Sequence, residues 1–168
     1  RQNTKPAGSS HHIKADIKEP ECWLKIVEKA DIIFHLAGNT SVPVSDRNPL
    51  LDVDLTVKPM NHLIQAARTL NRHPKVIFSS TATVYGLTKE TPTSERKMPN
   101  PITFYDLHKL FIEQQLILAT KLGILDGVSL RLSNVYGPSK GFSSSDDRGI
   151  LNKVTHSALK GKNLSLYG

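Results

Sequence analysis

Apolar residues in this chain recur in two rhythms. Residues 31–36 (D-I-I-F-H-L) form a nearly continuous apolar run, the pattern of a strand buried on both faces of a parallel sheet. Residues 75–80 (K-V-I-F-S-S) predict the next buried strand, and residues 127–132 (G-V-S-L-R-L) a further one. A shorter strand is expected over residues 11–15, ending at Asp16-Ile17. Between these runs the spacing changes to that of helices. Pro20 opens one, with Trp23, Ile26, Val27 and Ala30 as its apolar stripe. A long helical segment covers about residues 45–70, where Pro59 should kink or break the hydrogen-bond ladder. Another helix runs from Tyr105 to about Leu122, closed by Gly123, and a last one covers residues 150–160, capped by Gly161. Residues 86–101 and 139–148 read as polar loops, and residues 1–10 as a loose leader to one domain over 11–168.

Strands alternating with helices predict an α/β protein with a parallel sheet. Such sheets bind ligands beyond the carboxyl ends of their strands. Asp16, Ala37-Gly38, Ser79-Ser80-Thr81 and Ser133-Asn134 all fall at such ends. Tyr105 and Lys109, four residues apart on a helix, share one face. A phenol titrates near ~10, and a neighbouring ammonium favours the phenolate, so the pair is a candidate acid–base catalyst. By itself the spacing describes a solvated helix face equally well.

Composition narrows the classes. The 168 residues allow a sizeable core, and mean hydropathy is −0.29. No apolar run approaches the roughly 20 residues of a membrane span, so no membrane partner is expected. The net charge of +7 suits an anionic ligand such as a nucleotide. Lysines and arginines are dispersed and not interleaved with aromatics, which disfavours nucleic acid. One cysteine, Cys22, fits a reducing compartment, and a cytoplasmic location is expected. The seven histidines are scattered without ligand spacing, and no metal is expected.

Four blocks together resemble the extended short-chain dehydrogenase/reductase family, the NAD-dependent epimerases and dehydratases of nucleotide sugars. They are Phe34-His35-Leu36-Ala37-Gly38; Phe78-Ser79-Ser80-Thr81-Ala82-Thr83-Val84-Tyr85-Gly86; the Tyr105/Lys109 pair; and Leu130-Arg131-Leu132-Ser133-Asn134-Val135-Tyr136-Gly137-Pro138. The resemblance spans roughly residues 16–168 and implies a Rossmann-like sheet with flanking helices, truncated here. It also implies roles. Tyr105 would be the general acid or base. Lys109 would bind the nicotinamide ribose and lower the Tyr105 pKa, and Thr81 would hydrogen-bond the reacting oxygen. Asp16 and Ile17 would flank the adenine. Leu36, Ala37, Gly38, Ser79 and the ring of Tyr105 would line the rest of an NAD site (NADP stays open), and Asn134 would touch the sugar nucleotide. Arg131 is expected in a structural salt bridge.

Two departures accompany the resemblance. The family's Gly-rich turn and first two strands have no counterpart, and most of the substrate lobe is missing, so the chain reads as the middle of a larger protein. Thr56 and Pro59 stand where the family has asparagine and glycine, which counts against a proton relay through that helix. The implied activity is C4 epimerisation of a nucleoside-diphosphate sugar, with a homodimer as a further expectation. A reductase or dehydratase of the same family, and a non-catalytic dinucleotide-binding protein, are the alternatives. Ala82 and Thr83 occupy the two places where relatives that eliminate water carry acids, which favours the epimerase.

Overall fold

The computed structural model describes residues 13–135 and 150–163. Three parallel strands, β1 (Ile32–His35), β2 (Lys75–Thr81) and β3 (Asp126–Leu132), lie side by side in that order. Ile33 pairs with Val76, and Val76 with Gly127, so alternate residues of all three strands face the same way. The helices are α1 (Pro20–Lys29), α2 (Val42–Arg47), α3 (Pro49–Asp52), α4 (Lys58–Thr69), α5 (Phe104–Lys121) and α6 (Ile150–Leu159). None of the described helices is long and apolar enough to cross a membrane.

One core holds these elements together. Ile33, Val76 and Phe78 project from one sheet face onto Trp23 and Val27 of α1, Met60, Leu63 and Ala66 of α4, and Ile112, Leu116 and Ala119 of α5. The opposite face is open: Ile32 is 56% exposed, Phe34 65% and Val128 50%. Burial of residues 31–36 on both faces is therefore not observed. A parallel strand carries apolar side chains for two layers, and among the described residues helices cover only one. The strand expected at 11–15 needs correction too. Residues 13–15 pair with no strand, and residues 11 and 12 lie outside the described set, as do residues 1–10 and the loop expected at 139–148. β1 pairs only with β2 among the described residues, which leaves an apolar edge.

The long helix expected over 45–70 is divided into α2, α3, a π-helical turn (Val53–Val57) and α4. Pro59 accounts for the last break. It has no N–H, and in an α-helix its ring would press on the carbonyl four residues back. The wider turn, in which Lys58 N–H reaches Val53 O, absorbs both problems and puts Pro59 in the first turn of α4. Helix α5 follows expectation, with Gly123 closing it at φ 65°; the structure adds a cap at its start, where Thr103 Oγ1 accepts from Asp106 N–H at 3.2 Å. At Gly86, φ is also 65°, and a Cβ would stand 2.1 Å from Asn100 O, so only glycine fits the turn leaving β2.

His35 is 2% exposed, stacked on Trp23 at 5.2 Å, and neither ring nitrogen is hydrogen-bonded. Burial, with help from the Lys109 charge, pushes its pKa down to about 4, so it is neutral in the fold. An unfolded histidine takes its proton near ~6.5, so stability should fall as pH drops from there towards 4. His35→Leu should flatten that slope in pH-dependent melting, and an unchanged slope would refute the assignment. The open sheet face should make the 168-residue chain bind hydrophobic dyes and self-associate. Phe34→Lys with Val128→Lys should reduce both, as read by fluorescence and sedimentation.

Candidate active site at the carboxyl edge of the sheet

Helix α5 begins beside the carboxyl end of β2, and its first two turns carry the candidate chemistry. Lys109 is 4% exposed; its Nζ donates to Ser79 O at 2.9 Å and lies 4.7 Å from the Phe78 ring centre and 5.8 Å from that of Tyr105. The expected juxtaposition of phenol and ammonium is therefore present. Desolvation lowers the Lys109 pKa to about 8, with Asp52 pulling it partly back up. The Tyr105 phenol moves the other way from expectation: burial, then the charges of Asp106 and Asp52, push it above its ordinary value. Burial and the two carboxylates thus act in the same sense, favouring the neutral phenol over the phenolate.

Thr81 ends β2 and caps the 3₁₀ turn over Ala82–Tyr85. Its Oγ1 accepts from Thr83 N–H at 3.2 Å and lies 2.9 Å from Thr83 Oγ1, which in turn donates to the buried carboxylate of Asp106. Ser79 ties the site to β1, its hydroxyl donating to His35 O at 3.3 Å. Beyond β1, Asn39 Nδ2 donates to Asp52 at 2.7 Å and Asn39 N–H to Thr56 Oγ1 at 3.2 Å. The fully buried Asp52 also meets His108 Nδ1 at 2.5 Å, which joins this network to α5. Asp52, Thr83, Asp106 and His108 were not among the residues expected from sequence. Asp106 has a local signal as the third helix residue after a Thr cap. No spacing rule links Asp52 to His108.

The remaining candidates divide. Ile17, Leu36 and Ala37 line one hollow of about 470 Å³ along β1 with Trp23, although 19 residues separate Ile17 from Leu36. Asp16, next to it, is exposed and paired with Lys18, whose main-chain N–H holds the Asp16 carboxyl below its ordinary value. Gly38 lies against Thr56 and Leu55 O. Asn134 is exposed, beyond the carboxyl end of β3. Arg131 forms the expected structural salt bridge: its Nε and Nη2 hold both oxygens of Glu113, at 3.1 and 2.7 Å, and Ser80 Oγ also donates to Glu113. A hollow of about 830 Å³ lies along β3 around Tyr85, Glu113 and Arg131, and neither Tyr105 nor Lys109 lines it.

A parallel sheet with a Tyr–Lys helix at its carboxyl edge and a threonine ending the central strand defines a Rossmann-type protein of the dehydrogenase/reductase class. The sequence matches the NAD dependent epimerase/dehydratase family over residues 1–168, and the chain belongs to that family. It is similar to the UDP-glucose 4-epimerase of Lactobacillus helveticus, 32% identical over 154 residues, covering 88% of this chain and 46% of that protein. Among solved structures it is similar to the UDP-N-acetylglucosamine 4-epimerase of Methanobrevibacter ruminantium in complex with UDP-N-acetylmuramic acid. That match has a TM-score of 0.83 at 32% identity, over 93% of this chain and 49% of the other. The UDP-glucose 4-epimerase of Thermus thermophilus in complex with NAD matches with a TM-score of 0.77 at 28% identity, over 92% and 50% of the two chains. The chain thus spans about half the length of these relatives.

A charged lysine held at a pKa near 8 instead of 10.5 carries a native-state penalty of about 3 kcal/mol at neutral pH. Lys109→Met removes that penalty together with one hydrogen bond, so the variant should melt above wild type at pH 7. The sign follows from proton counts. Between pH 8 and about 10.4 the unfolded chain binds the extra proton, so wild-type stability rises with pH and the variant's advantage shrinks. Melting curves at pH 7 and pH 10 test this; a variant less stable at pH 7 would contradict it.

Proposed function

We propose that the protein carrying this chain is a nucleotide-sugar epimerase that uses Tyr105, Lys109 and Thr81 to oxidise and re-reduce one carbon of a nucleoside-diphosphate sugar. The observation that carries this reading is the buried Lys109 ammonium between Ser79 O and the Tyr105 ring. An ammonium has three N–H donors, and one is used among the described residues. A ribose diol is a suitable partner for the others, and NAD is the cofactor proposed. Asp16, Ile17, Leu36, Ala37, Gly38 and Ser79 are proposed to hold the rest of it. The hollow shared by Ile17, Leu36 and Ala37 supports that fit. When bound, the cofactor would accept and return hydride, and its oxidised ring would bring the second positive charge that the phenol lacks here.

Within that frame Lys109 orients the ribose and offsets the two carboxylates near the phenol. Tyr105 moves the proton of the reacting hydroxyl, and Thr81 holds the same oxygen from the other side. Asn134 is proposed on the sugar-nucleotide side. Neither Ala82 nor Thr83 is itself an acid, which supports oxidation and return over elimination of water. We also propose a homodimer. Leu107, Phe111, Leu118 and Leu122 form an exposed apolar stripe along α5, next to a hollow between α4 and α5. The buried thiol of Cys22 is consistent with a cytoplasmic location.

The test uses the full-length protein with UDP-sugars in deuterated water. Epimerisation at C4 by hydride return leaves no deuterium on carbon, whereas loss of water with deuterium at C6 would overturn the epimerase reading. Tyr105→Phe should lower turnover by at least about a hundredfold, in line with the loss of a general acid–base group. Cofactor affinity should stay within about threefold, since the phenol oxygen is not proposed to hold the cofactor. Wild-type rates in Tyr105→Phe would remove Tyr105 from the mechanism.

A further inference from the structure

Counting protons along the Thr81–Thr83–Asp106 chain gives each hydroxyl a direction. The Thr83 hydroxyl has one proton, and the Asp106 carboxylate takes it. At the 2.9 Å contact between the two threonine oxygens, Thr81 must then be the donor. Thr81 Oγ1 also accepts from Thr83 N–H at 3.2 Å. A hydroxyl offers one proton and two lone pairs, so Thr81 has a single lone pair left for a ligand.

We propose that Asp106 is a positioning residue that, through Thr83, holds the Thr81 hydroxyl turned to receive a hydrogen bond from the reacting sugar hydroxyl. This rests on the reading of Thr81, Tyr105 and Lys109 as the sugar-oxidising site. Helix capping does not account for the arrangement. A carboxylate three residues after a Thr cap ordinarily reaches back to the cap's own N–H. Asp106, 2% exposed, instead takes a side chain from the end of β2, 23 residues away.

The orientation has a chemical consequence. An alcohol whose proton points at Thr81 accepts from the Tyr105 phenol, and it must turn that one proton from Thr81 to the deprotonated Tyr105 oxygen before hydride can leave its carbon. A ketone has no proton to give, and it meets the Thr81 lone pair unless Thr81 turns and gives up its bond to Thr83. The chain therefore favours the alcohol over the keto-sugar and keeps the oxidised intermediate scarce. Breaking the chain frees Thr81 to donate to the ketone.

The test measures the fraction of enzyme-bound nicotinamide in the reduced state at saturating UDP-sugar, by its absorbance, in the full-length enzyme. Thr83→Val should raise that fraction up to about tenfold, the worth of one hydrogen bond. Thr83→Ser should restore it, and Asp106→Ala should raise it at least as far, since that variant also removes a charge acting on the Tyr105 phenol. The double variant should match Asp106→Ala alone, because both substitutions cut the same chain. Thr83 is exposed, so its variants test the proposal even where Asp106→Ala fails to fold. A reduced fraction unchanged in Thr83→Val, or effects that add in the double variant, would overturn the proposal and leave the epimerase reading standing. A wild-type enzyme that neither epimerises nor reduces its cofactor with any UDP-sugar would instead overturn the site reading, and this proposal with it.

Discussion

A desolvated ammonium with a single main-chain acceptor is the interaction on which the site depends. Lys109 reaches Ser79 O only because α5 lies close against β2, and that approach is fixed from two sides. One side is apolar: Ile112 and Leu116 share the core with Phe78 and Val76. The other is ionic. One turn beyond Lys109, Glu113 is held by both arms of Arg131 on β3 and by Ser80 on β2. Removing one member of such a buried pair typically costs about 3–5 kcal/mol, because the partner's charge stays buried and uncompensated. The pair thus also fixes the register in which the helix meets the sheet.

The charges around Tyr105 describe a site poised short of its reactive state. Asp52 and Asp106 are both buried, and both push the phenol upwards, while Lys109 is itself weakened as a cation by burial. An additional positive charge at the sheet edge shifts this balance towards the phenolate, by the same Coulombic rule that now opposes it. Asp52 is central because it also accepts from Asn39 and Thr56 and meets His108, so one carboxylate connects the end of β1, the α3–α4 bend and α5. The π turn ahead of Pro59 belongs to the same construction, since it carries Thr56 at the point where α4 leaves the network. That helix thus meets β1 through a threonine hydroxyl, in the position where relatives were expected to use an asparagine.

Much of this was legible from the chain alone, for a local reason. Helix α5 and its Gly123 stop depend on residues within one turn of one another, and so does the Tyr105–Lys109 spacing. The three strands were legible from their apolar runs, and a parallel sheet followed from the helices between them. Arg131 was expected in a structural salt bridge on the family resemblance, and Glu113 is the partner that the fold supplies. What only the tertiary structure decided involves residues far apart in sequence or the presence of a neighbour. Apolar runs state how much surface a strand can bury, not whether a second layer covers it, so the open face of β1 and β3 could not be foreseen. The segment at 13–15 has strand-like residues but no partner, and a strand exists only as a paired ladder. The direction of the Tyr105 shift was misjudged because the spacing argument weighed Lys109 alone, whereas the fold buries the phenol and sets the charges of Asp106 and Asp52 against it. Hydrogen bonds from Thr83 to Asp106 and from His108 to Asp52 join segments 23 and 56 residues apart. They form where α5 docks against the ends of β1 and β2, and that docking is a property of the packed core rather than of any stretch of sequence.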